Sequence, residues 1–435
     1  MGIEIIALGG FGEIGRNCVA VDVDDKILLL DMGFHLERYL EVTEDDFSLK
    51  RHGLRKLISR GALPDIRLLR RRKHDVVGII CSHAHLDHIG ALPFLADQFS
   101  CPVFATPFTA KVIRSIVEDR GSRVDVVDQS PSSRFSVAGL DIEFIPVSHS
   151  TPQTVAVAVH TDQGIILYAN DYKEDLHPPF GLPTDIDRIG QLSGSVKALV
   201  LDSMYAPIDD FSEGELRARE SVLELCDELK SSRAVVISTF SSHIHRLESI
   251  CDLADALDRE VVFLGRSLYR YLSASERTGL LDMFSRGRVL KYRRQIDSFL
   301  KDVSDPSKYV FITTGHQGEP QAVLSRMADG LFDFDSRDTV VFSCKIIPVP
   351  ISIENRKRLE SKLSAKGVSI IRDVHVSGHA FSKDHKRLLS LLNPDVLIPS
   401  HAESPMLDAI EHIASSVGIS GDRFKRISVG DRLKL

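Results

Sequence analysis

The first half of the chain alternates apolar runs with short polar turns, a pattern typical of β-strands. The earliest apolar runs, each long enough for one strand, cover residues 3–8, 18–23 and 26–31. Asp24-Asp25 marks a hairpin between the last two of them. Further strands are predicted at residues 76–81, 140–147, 155–160 and 165–170. The pattern therefore predicts a sheet-rich domain up to about residue 204.

The pattern changes after Asp202, where longer helices alternate with continuous apolar strands. Such strands, typical of a parallel sheet buried on both faces, are predicted at residues 234–239, 261–264, 309–313 and 339–343. Ser212 and Glu215 have the spacing of a capping box and predict a helix that runs to about Leu229. These elements predict a doubly wound second domain, inserted at about residue 205 and left at about residue 365.

Composition places the chain among water-soluble proteins with a sizeable core, because 43% of its 435 residues are hydrophobic and 26% are charged. No apolar run approaches the roughly 20 residues of a membrane span, and the N-terminus lacks the features of a secretory signal. The six cysteines contain no CxxC pair, which favours reduced thiols over a disulfide framework. We therefore expect a cytoplasmic protein of two or three domains with no membrane partner.

The net charge of −7 gives no general attraction to nucleic acid, although basic residues cluster in two places. The denser cluster is Arg67-Leu68-Leu69-Arg70-Arg71-Arg72-Lys73. The second consists of Arg51, Arg55, Lys56 and Arg60. Such runs are more often solvated faces than polyanion sites, so a solvated face is the favoured interpretation of both.

The segment from Gly10 to Gly15 has the G-x-G-x-x-G spacing of a dinucleotide-binding loop, and Asp31 lies where a ribose-binding acid would be expected. That loop binds phosphate through the N-terminus of a following helix. Here the following residues alternate as two strands. We therefore predict a tight turn between strands and no dinucleotide site.

Four metal-ligating side chains, His83, His85, Asp87 and His88, lie within six residues between an apolar strand and a helix. Residues 83 and 85 of an extended segment point the same way, so their imidazoles can bind one ion. Asp87 and His88 then turn toward a neighbouring position. This density of ligand types predicts a metal site.

One such loop cannot complete two coordination spheres, and three later residues follow apolar strands in the same layout. They are His149, Asp171 and His401. Taken singly, each is more often an ordinary polar residue at a strand end. Together they supply the missing ligands, and a carboxylate such as Asp171 is suited to bridge two cations. The N/O ligand set favours Zn²⁺, with Mn²⁺ as the second choice.

The chain resembles the β-CASP group of metallo-β-lactamase-fold nucleases, and within it ribonuclease J of the short archaeal type. Motifs over nearly the whole length carry this resemblance: Gly9-Gly10-x-Gly12-Glu13-Ile14-Gly15-Arg16-Asn17, Leu30-Asp31-Met32-Gly33, Ser82-His83-Ala84-His85-Leu86-Asp87-His88, Val147-Ser148-His149-Ser150, Asn170-Asp171-Tyr172-Lys173, Thr239-Phe240-Ser241-Ser242-x-Ile244-His245-Arg246, Gly315-x-Gln317-Gly318-Glu319-Pro320, His375-Val376-Ser377-Gly378-His379-Ala380 and Pro399-Ser400-His401-Ala402-Glu403. The HxHxDH segment alone indicates only the superfamily, and the later motifs indicate this group.

The resemblance implies a metallo-β-lactamase αββα sandwich, residues 1–204 and 366–435, with an inserted doubly wound β-CASP domain, residues 205–365. It implies that the chain binds two divalent ions, and it favours zinc for both. The ligands expected for the first ion are His83, His85, His149 and Asp171. Those expected for the second are Asp87, His88, Asp171 and His401. Asp31 and Asp202 match acids that orient the site from behind the ligands, and His379 matches a histidine beside the scissile phosphate.

The implied function is a metal-dependent ribonuclease, a 5′→3′ exonuclease that prefers 5′-monophosphate ends, with Asp87 and His379 as catalytic residues. A phosphate pocket is expected at His375, Ser377, Gly378 and His379, and the composition of that segment suits an anion. His243, His245 and Arg246 are candidates for the RNA path, although the sequence alone favours an exposed first helical turn for them. RNA is the expected partner. A homodimer and an association with ribosomes or helicases remain open.

Several positions depart from the family pattern and bear on the RNA cleft more than on the metals. His316 replaces a usual serine, Asn170 replaces a usual glycine, and residues 344–350 differ from a serine-rich loop. They bear on substrate preference and rate and not on hydrolysis. Separately, the sequence leaves an endonuclease mode open. A DNA-processing member is disfavoured by His401, and a small thioester or lactam hydrolase would need neither the inserted domain nor His379. A binding protein without catalysis would be expected to have lost ligands, and all are present.

Overall fold

The computed structural model describes residues 2–43, 53–347 and 350–435, with only the main chain of Thr43. Arg51 of the second basic cluster and residues 348–349 of the departing segment lie outside the described residues. The chain divides into two compact units. The first consists of Met1–Leu176, Gly181–Ser212 and Gly378–Leu435, and the second of His177–Phe180 and Glu213–Ser377. The domain limits predicted at 204/205 and 365/366 stay predictions.

Two mixed sheets form the first unit. One sheet has the strand order β19 (Arg432–Lys434), β1 (Ile3–Gly9), β2 (Cys18–Val23), β3 (Lys26–Leu30), β4 (Val76–Cys81), β5 (Val103–Ala105) and β6 (Val126–Asp128). The other has the order β18 (Val396–Ser400), β11 (Val196–Asp202), β10 (Gly164–Ala169), β9 (Val155–Thr161), β8 (Leu140–Pro146) and β7 (Arg134–Val137). The strands predicted from apolar runs are thus confirmed within one or two residues at each end.

Alternation along the strands decides which residues lie between the two sheets. On β8, Ile142 and Phe144 join a hydrophobic cluster that also contains Ile5 and Val21 of the other sheet. The next residue, Ile145, points to the opposite face and packs in a second cluster with Leu388, which lies on a helix. A period of two therefore gives each strand one face toward the partner sheet and one toward helices.

Helices cover the outer faces of the sandwich. The helices of this unit are α1 (Leu36–Thr43), α2 (Leu54–Ser59), α3 (Leu86–Ile89), α4 (Leu92–Leu95), α5 (Pro107–Arg120), α6 (Ile186–Gln191), α14 (Ser382–Leu392) and α15 (Ser404–Ser416). Helix α5 packs against β5 and β6, while α6, α14 and α15 supply residues to the cluster on the outer face of the second sheet. The predicted helix–sheet–sheet–helix layering is therefore confirmed.

The second unit is built on one wholly parallel sheet. Its strand order is β14 (Gly287–Leu290), β13 (Glu260–Leu264), β15 (Tyr309–Thr313), β12 (Val235–Ser238), β16 (Thr339–Phe342) and β17 (Ser369–Ile371). Its helices are α7 (Glu215–Leu223), α8 (Cys226–Leu229), α9 (Ile244–Ala256), α10 (Arg266–Arg277), α11 (Arg293–Asp302), α12 (Val323–Arg326) and α13 (Pro350–Ser364). The continuous apolar runs correctly indicated strands buried on both faces.

The predicted capping box is wrong. Helix α7 begins at Glu215 with Gly214 at the N-cap, and no side chain caps it. It ends at Leu223, and a separate short helix continues to Leu229. The Glu215 carboxylate lies instead beside Arg246 Nη2, at 3.4 Å, so a buried cation takes the group that a capping box would have used.

The glycine-rich segment after β1 forms a turn and bends, as predicted, and no helix follows it. Strand β2 pairs antiparallel with β1 directly after it. Gly10, Gly12 and Gly15 have φ angles of 82°, 71° and 84°, which glycine adopts without strain. The rejection of a dinucleotide-binding loop therefore agrees with the fold.

Candidate metal centre

Strand ends of the first unit bring the predicted ligands together. Strands β3 and β4 are parallel, so Asp31 and the segment from Ser82 to His88 leave the same edge of one sheet. In the other sheet β10, β11 and β18 are parallel, so Asp171, Asp202 and His401 also follow ends at one edge. His83, Asp171 and His401 are far apart in the sequence, and the strand topology brings them to the same end of the sheets.

The first set of ligand atoms is closely spaced. His85 Nδ1 lies 3.1 Å from His83 Nε2 and 3.1 Å from His149 Nε2. Asp171 Oδ2 lies 3.5 Å from His83 Nε2 and 3.6 Å from His149 Nε2. A tetrahedral zinc ion with bonds of about 2.0–2.1 Å places its ligand atoms roughly 3.4 Å apart. The four atoms therefore have the spacing of a tetrahedral site.

A second set lies on the other oxygen of the same carboxylate. His88 Nε2 is 3.4 Å from Asp171 Oδ1 and 3.6 Å from Asp87 Oδ2. His401 Nε2 lies 3.8 Å from Asp87 Oδ2. The side chain of Asp171 thus has one oxygen on each set, and its Oδ1 is buried without accepting a hydrogen bond from the described part of the chain.

Two of the imidazoles are oriented by hydrogen bonds that end on Asp31. His88 Nδ1 donates to Asp31 Oδ2 at 2.7 Å. His83 Nδ1 is 3.0 Å from Ser82 Oγ, which donates to Asp31 Oδ2 at 2.8 Å. Asp31 is fully buried and also accepts from the Tyr168 hydroxyl at 2.8 Å. Because Nδ1 is the donor, the neutral form of each ring carries its lone pair on Nε2, which is the tautomer that a metal needs.

The remaining rings follow the same rule. His149 Nδ1 donates to the carbonyl oxygen of Gly378 at 2.6 Å, which leaves Nε2 in the cluster. His85 has the opposite orientation, with Nε2 3.2 Å from Ser150 Oγ and Nδ1 in the cluster. His401 Nδ1 lies 3.2 Å from Asn17 Oδ1. Each imidazole therefore has one nitrogen held by a neighbour and the other turned toward a shared point.

The titration of these groups suits cation binding. Burial, together with the neighbouring His88, holds the pKa of His83 well below its usual value. Burial and the nearby His85 do the same to the pKa of His149. Burial raises the pKa of Asp171, but the adjacent His88 and His401 outweigh it and hold that pKa well below the usual range. The neutral imidazoles of His83 and His149 beside the ionised Asp171 form a donor set that fits a divalent cation. Burial lowers the pKa of His88, but Asp171, Asp87 and Asp31 outweigh it and raise that pKa, so a cation must displace the proton of His88.

His379 and Asp202 form a pair beside this cluster. His379 Nδ1 lies 2.8 Å from Asp202 Oδ2, and His379 Nε2 lies 4.0 Å from Asp171 Oδ2. Burial lowers the pKa of His379, but the charges of Asp202 and Asp171 overcome this and raise the pKa to about 9. Asp202 therefore orients His379, whereas Asp31 orients His83 and His88.

The expected phosphate-binding segment divides between the units. His375 and Ser377 belong to the second unit, and Gly378 and His379 to the first. Burial, then the charge of Arg246, lowers the pKa of His375 to about 2, so its ring is neutral. Gly378 has a role that the sequence did not indicate. A Cβ atom at this position would lie 2.9 Å from the His149 ring.

The expectation that His243, His245 and Arg246 form an exposed helical turn is wrong. His243 and His245 are 1% and 6% exposed, and Arg246 is fully buried. Arg246 Nη1 donates to Ser343 Oγ and to the carbonyl oxygen of Val374, each at 2.9 Å. His245 stacks on Phe180 with ring centroids 3.8 Å apart. Arg246 and His245 are therefore held by partners inside the second unit. A place for the three residues on the RNA path stays a prediction.

Asn17 lies beside the second ligand set, although its place in the sequence indicated no such role. Its Nδ2 atom is 2.8 Å from both His88 Nε2 and His401 Nδ1. Its main-chain N–H donates to the Asp87 carbonyl oxygen at 2.9 Å. Gly33 allows close packing at the same place, because a Cβ atom there would lie only 1.5 Å from the Asp87 carbonyl oxygen. Both residues fix the short helix that carries Asp87 and His88.

Two of the five cations in the first basic cluster form local ion pairs with carboxylates. Arg67 pairs with Asp65 at 2.6 Å. Arg72 contacts Asp22, Asp25 and Asp75. This distribution agrees with the favoured interpretation of a solvated face.

Among the described residues, no helix has the length and apolarity that crossing a membrane would require.

Three regions of the chain match known domain families. Residues 56–237 match the beta-lactamase superfamily domain, and residues 232–357 match the beta-CASP domain of ribonuclease J. Residues 368–420 match the Zn-dependent metallo-hydrolase RNA specificity domain. The three matches follow one another along the chain in the order that the predicted domain organisation requires.

Relatives of similar length extend these matches. The chain is 37% identical to ribonuclease J of Pyrococcus abyssi over 96% of this chain and 93% of that protein. It is 36% identical to ribonuclease J of Methanocaldococcus jannaschii over 96% and 95% of the two chains. A crystal structure of a protein of unknown function from Enterococcus faecalis V583 has the same fold, with a TM-score of 0.67 and 15% identity over the full length of both chains.

Proposed function

The chain belongs to the ribonuclease J family of metal-dependent ribonucleases, and we propose that it is a 5′→3′ exoribonuclease that uses two divalent ions and prefers 5′-monophosphate ends. One observation carries the two-ion part of this proposal. Asp171 directs Oδ2 toward His83 and His149, and Oδ1 toward His88. A carboxylate with a different ligand set on each oxygen suits a bridge between two cations.

We assign the first ion to His83, His85, His149 and Asp171, and the second to Asp87, His88, Asp171 and His401. The side-chain geometry supports this assignment in part: it groups His83, His85, His149 and Asp171, and separately Asp87, His88 and His401. It also groups Asp171 with His379 and His401. Five imidazoles with carboxylates are borderline nitrogen and oxygen donors, which favours Zn²⁺ over Mn²⁺. When bound, such ions lower the pKa of a coordinated water and neutralise charge on the phosphate oxygens.

The protein groups around that chemistry have separable tasks. Asp87 is 28% exposed at its side chain, more than the 2% of Asp171, so it is the carboxylate best placed to accept a proton from an attacking water. His379 donates from Nδ1 to Asp202, so Nε2 carries a proton only when the ring is charged. The raised pKa of about 9 favours this charged form at neutral pH. That proton is available to the leaving 3′ oxygen.

The 5′-end preference rests on the family membership and on the segment from His375 to His379. Since the pKa of His375 is lowered to about 2, His375 would bind a terminal phosphate as a neutral hydrogen-bond donor and not as a cation. Ser377 would contribute a hydroxyl. We also propose a cytoplasmic location, which the six free cysteines support. A homodimer stays a prediction.

The test compares a single-stranded RNA with a 5′-monophosphate, its 5′-hydroxyl counterpart and a DNA copy, each with an internal label. The protein is assayed with Zn²⁺ or Mn²⁺ beside a His85→Ala variant. We expect mononucleotides from the monophosphorylated RNA and none from the variant. Only internal cuts would refute the exonuclease mode and favour an endonuclease. No cleavage of any of the three would refute the proposed function.

A further inference from the structure

A basic and aromatic surface lies on the second unit and contains no residue named above as a ligand or catalytic group. In a chain of net charge −7, residues 286–301 contain six basic residues and one acidic residue. They form strand β14, at the edge of its sheet, and most of helix α11. This local excess of positive charge is the reverse of the charge of the whole chain.

The cations of this surface are mostly unneutralised. Among the described residues, no carboxylate forms an ion pair with Arg288, Lys291, Arg294 or Lys301. The single acidic residue, Asp297, is already shared between Arg293 and Arg326. The side chain of Arg293 is 70% exposed. Arg286, by contrast, is paired with Glu248, Asp252 and Asp255. A polyanion could therefore meet the four unpaired cations without first displacing a protein carboxylate.

Helix α11 presents its charges on one side. Ile296 and Leu300, four residues apart, are buried in the hydrophobic cluster of the second unit. Arg294, Ser298 and Lys301 have the helical spacing of one face, and with Arg293 and Asp297 they line a single shallow surface depression. The helix is thus anchored by its apolar face and leaves a basic face uncovered.

An aromatic ring stands at the start of this face. Tyr292 is 58% exposed, although burial of an aromatic side chain is strongly favoured. Its main-chain N–H donates to Gln295 Oε1 at 3.2 Å, which fixes the entry into the helix. Lys291 Nζ lies 5.2 Å from the Tyr292 ring centroid and 4.1 Å from that of Tyr269. A cation and an exposed ring are therefore held side by side.

We propose that this surface, formed by Lys291, Tyr292, Arg293, Arg294 and Lys301, binds single-stranded RNA outside the catalytic centre. Exposed rings stack on unpaired bases, and neighbouring cations contact the phosphates, which is the combination that single-stranded nucleic acids favour. A paired helix would offer Tyr292 no free base. The proposal rests on the proposed function for its choice of RNA over an acidic protein.

The test measures binding of an oligouridylate to the full chain by fluorescence anisotropy, with metal removed by EDTA so that the RNA stays intact. Tyr292→Ala is expected to weaken binding on the order of ten-fold, while Tyr292→Phe keeps the ring and the affinity. Arg294→Ala is expected to weaken binding and to reduce the slope of log affinity against log salt by about 0.7. Lys357→Ala, at an exposed position of the same unit, is the matched loss of one charge.

Each outcome decides the proposal. Losses in Tyr292→Ala and Arg294→Ala with wild-type behaviour in the two controls would support it. Equal losses in Arg294→Ala and Lys357→Ala, or no loss in Tyr292→Ala, would overturn it in favour of diffuse electrostatic attraction. Wild-type affinity in all variants would also overturn it and leave the surface to an acidic protein. The proposed function is judged separately, by cleavage with the wild-type chain, so the two failures are distinguishable.

Discussion

Ser400 donates a hydrogen bond to Asn170, with Oγ 3.2 Å from Oδ1, and so joins two strand ends that lie 230 positions apart in the chain. The other end of the same amide, Asn170 Nδ2, donates to the Tyr168 hydroxyl at 3.0 Å. Tyr168 in turn donates to Asp31. Asn170 therefore links the strands that lead to Asp171 and His401 with the acid that orients His88.

Replacing Asn170 by glycine should weaken metal binding. The change removes the link between the two strand ends, and loss of such outer hydrogen bonds typically reduces metal affinity by about 10–100-fold. Competition with a chromophoric chelator measures the affinity. Asn393→Gly is the control, because Asn393 has a φ of 43° that glycine adopts easily. Equal affinities of the wild type and Asn170→Gly would show that the link has no role in the site.

Alanine at position 378 should disturb the first ligand set. The added Cβ would lie 2.9 Å from Nδ1 and Cε1 of His149, so the ring must move away from its acceptor, the Gly378 carbonyl oxygen. We expect metal affinity to fall by about ten-fold or more. Gly53→Ala is the control, because Gly53 has a φ of −64° and open space around the new methyl group. Unchanged affinity in Gly378→Ala would contradict the packing argument.

A buried ion pair in the second unit should matter for stability and not for the metal. Arg246→Met removes the guanidinium from a buried ion pair with Glu215, and breaking such a pair typically costs about 3–5 kcal/mol of unfolding free energy. Arg358→Ala breaks the exposed pair with Glu354 and should cost under about 1 kcal/mol. Urea denaturation gives both values. A small loss in Arg246→Met would mean that the buried charges are not stabilised by each other.

Acid should destabilise the chain through His385. Burial lowers the pKa of this histidine from 6.5 to about 4, and the Tyr172 hydroxyl lies 3.1 Å from its Nδ1. Between about pH 6.5 and 4, His385 is protonated in the unfolded chain and neutral in the folded chain. The free energy of unfolding therefore falls as the pH drops through this range. The loss approaches about 3 kcal/mol at the lower limit, at 1.36 kcal/mol per unit of pKa.

The measurement is the free energy of unfolding between pH 7 and 4.5. In His385→Gln the unfolding free energy should fall less on acidification, because protonation of His385 no longer contributes to the fall. His412→Gln, at an exposed site, should follow the wild-type curve. A variant His385→Gln with an unchanged pH dependence would show that the ring is not held neutral in the folded chain.

Much of the fold could be predicted because strand periodicity is a local property. The metal-binding segment from His83 to His88 could also be predicted, because four ligand-type residues within six positions can be recognised without knowledge of the tertiary structure. His149, Asp171 and His401 were identified by their place after apolar strands. Their convergence depends on which strands are parallel, and a single sequence does not state that.

What could not be predicted depends on partners far away in the chain. Asn17 meets His401 across 384 positions, and Gly378 meets His149 across 229. Arg246 looked like an exposed helical charge because its partners, Glu215 and Ser343, lie on other elements. The capping-box pattern failed for the same reason, since tertiary pairing of Glu215 overrode a local motif.

The order in which the chain is synthesised separates the two halves of the metal centre in time. Every ligand that we propose for the first ion has been synthesised once the chain extends past Asp171, whereas the set proposed for the second ion lacks His401 until β18 has been made. A nascent chain that has not yet added β18 to β11 therefore holds a complete first set and an incomplete second set. On the proposed two-ion assignment, hydrolysis requires nearly the whole chain.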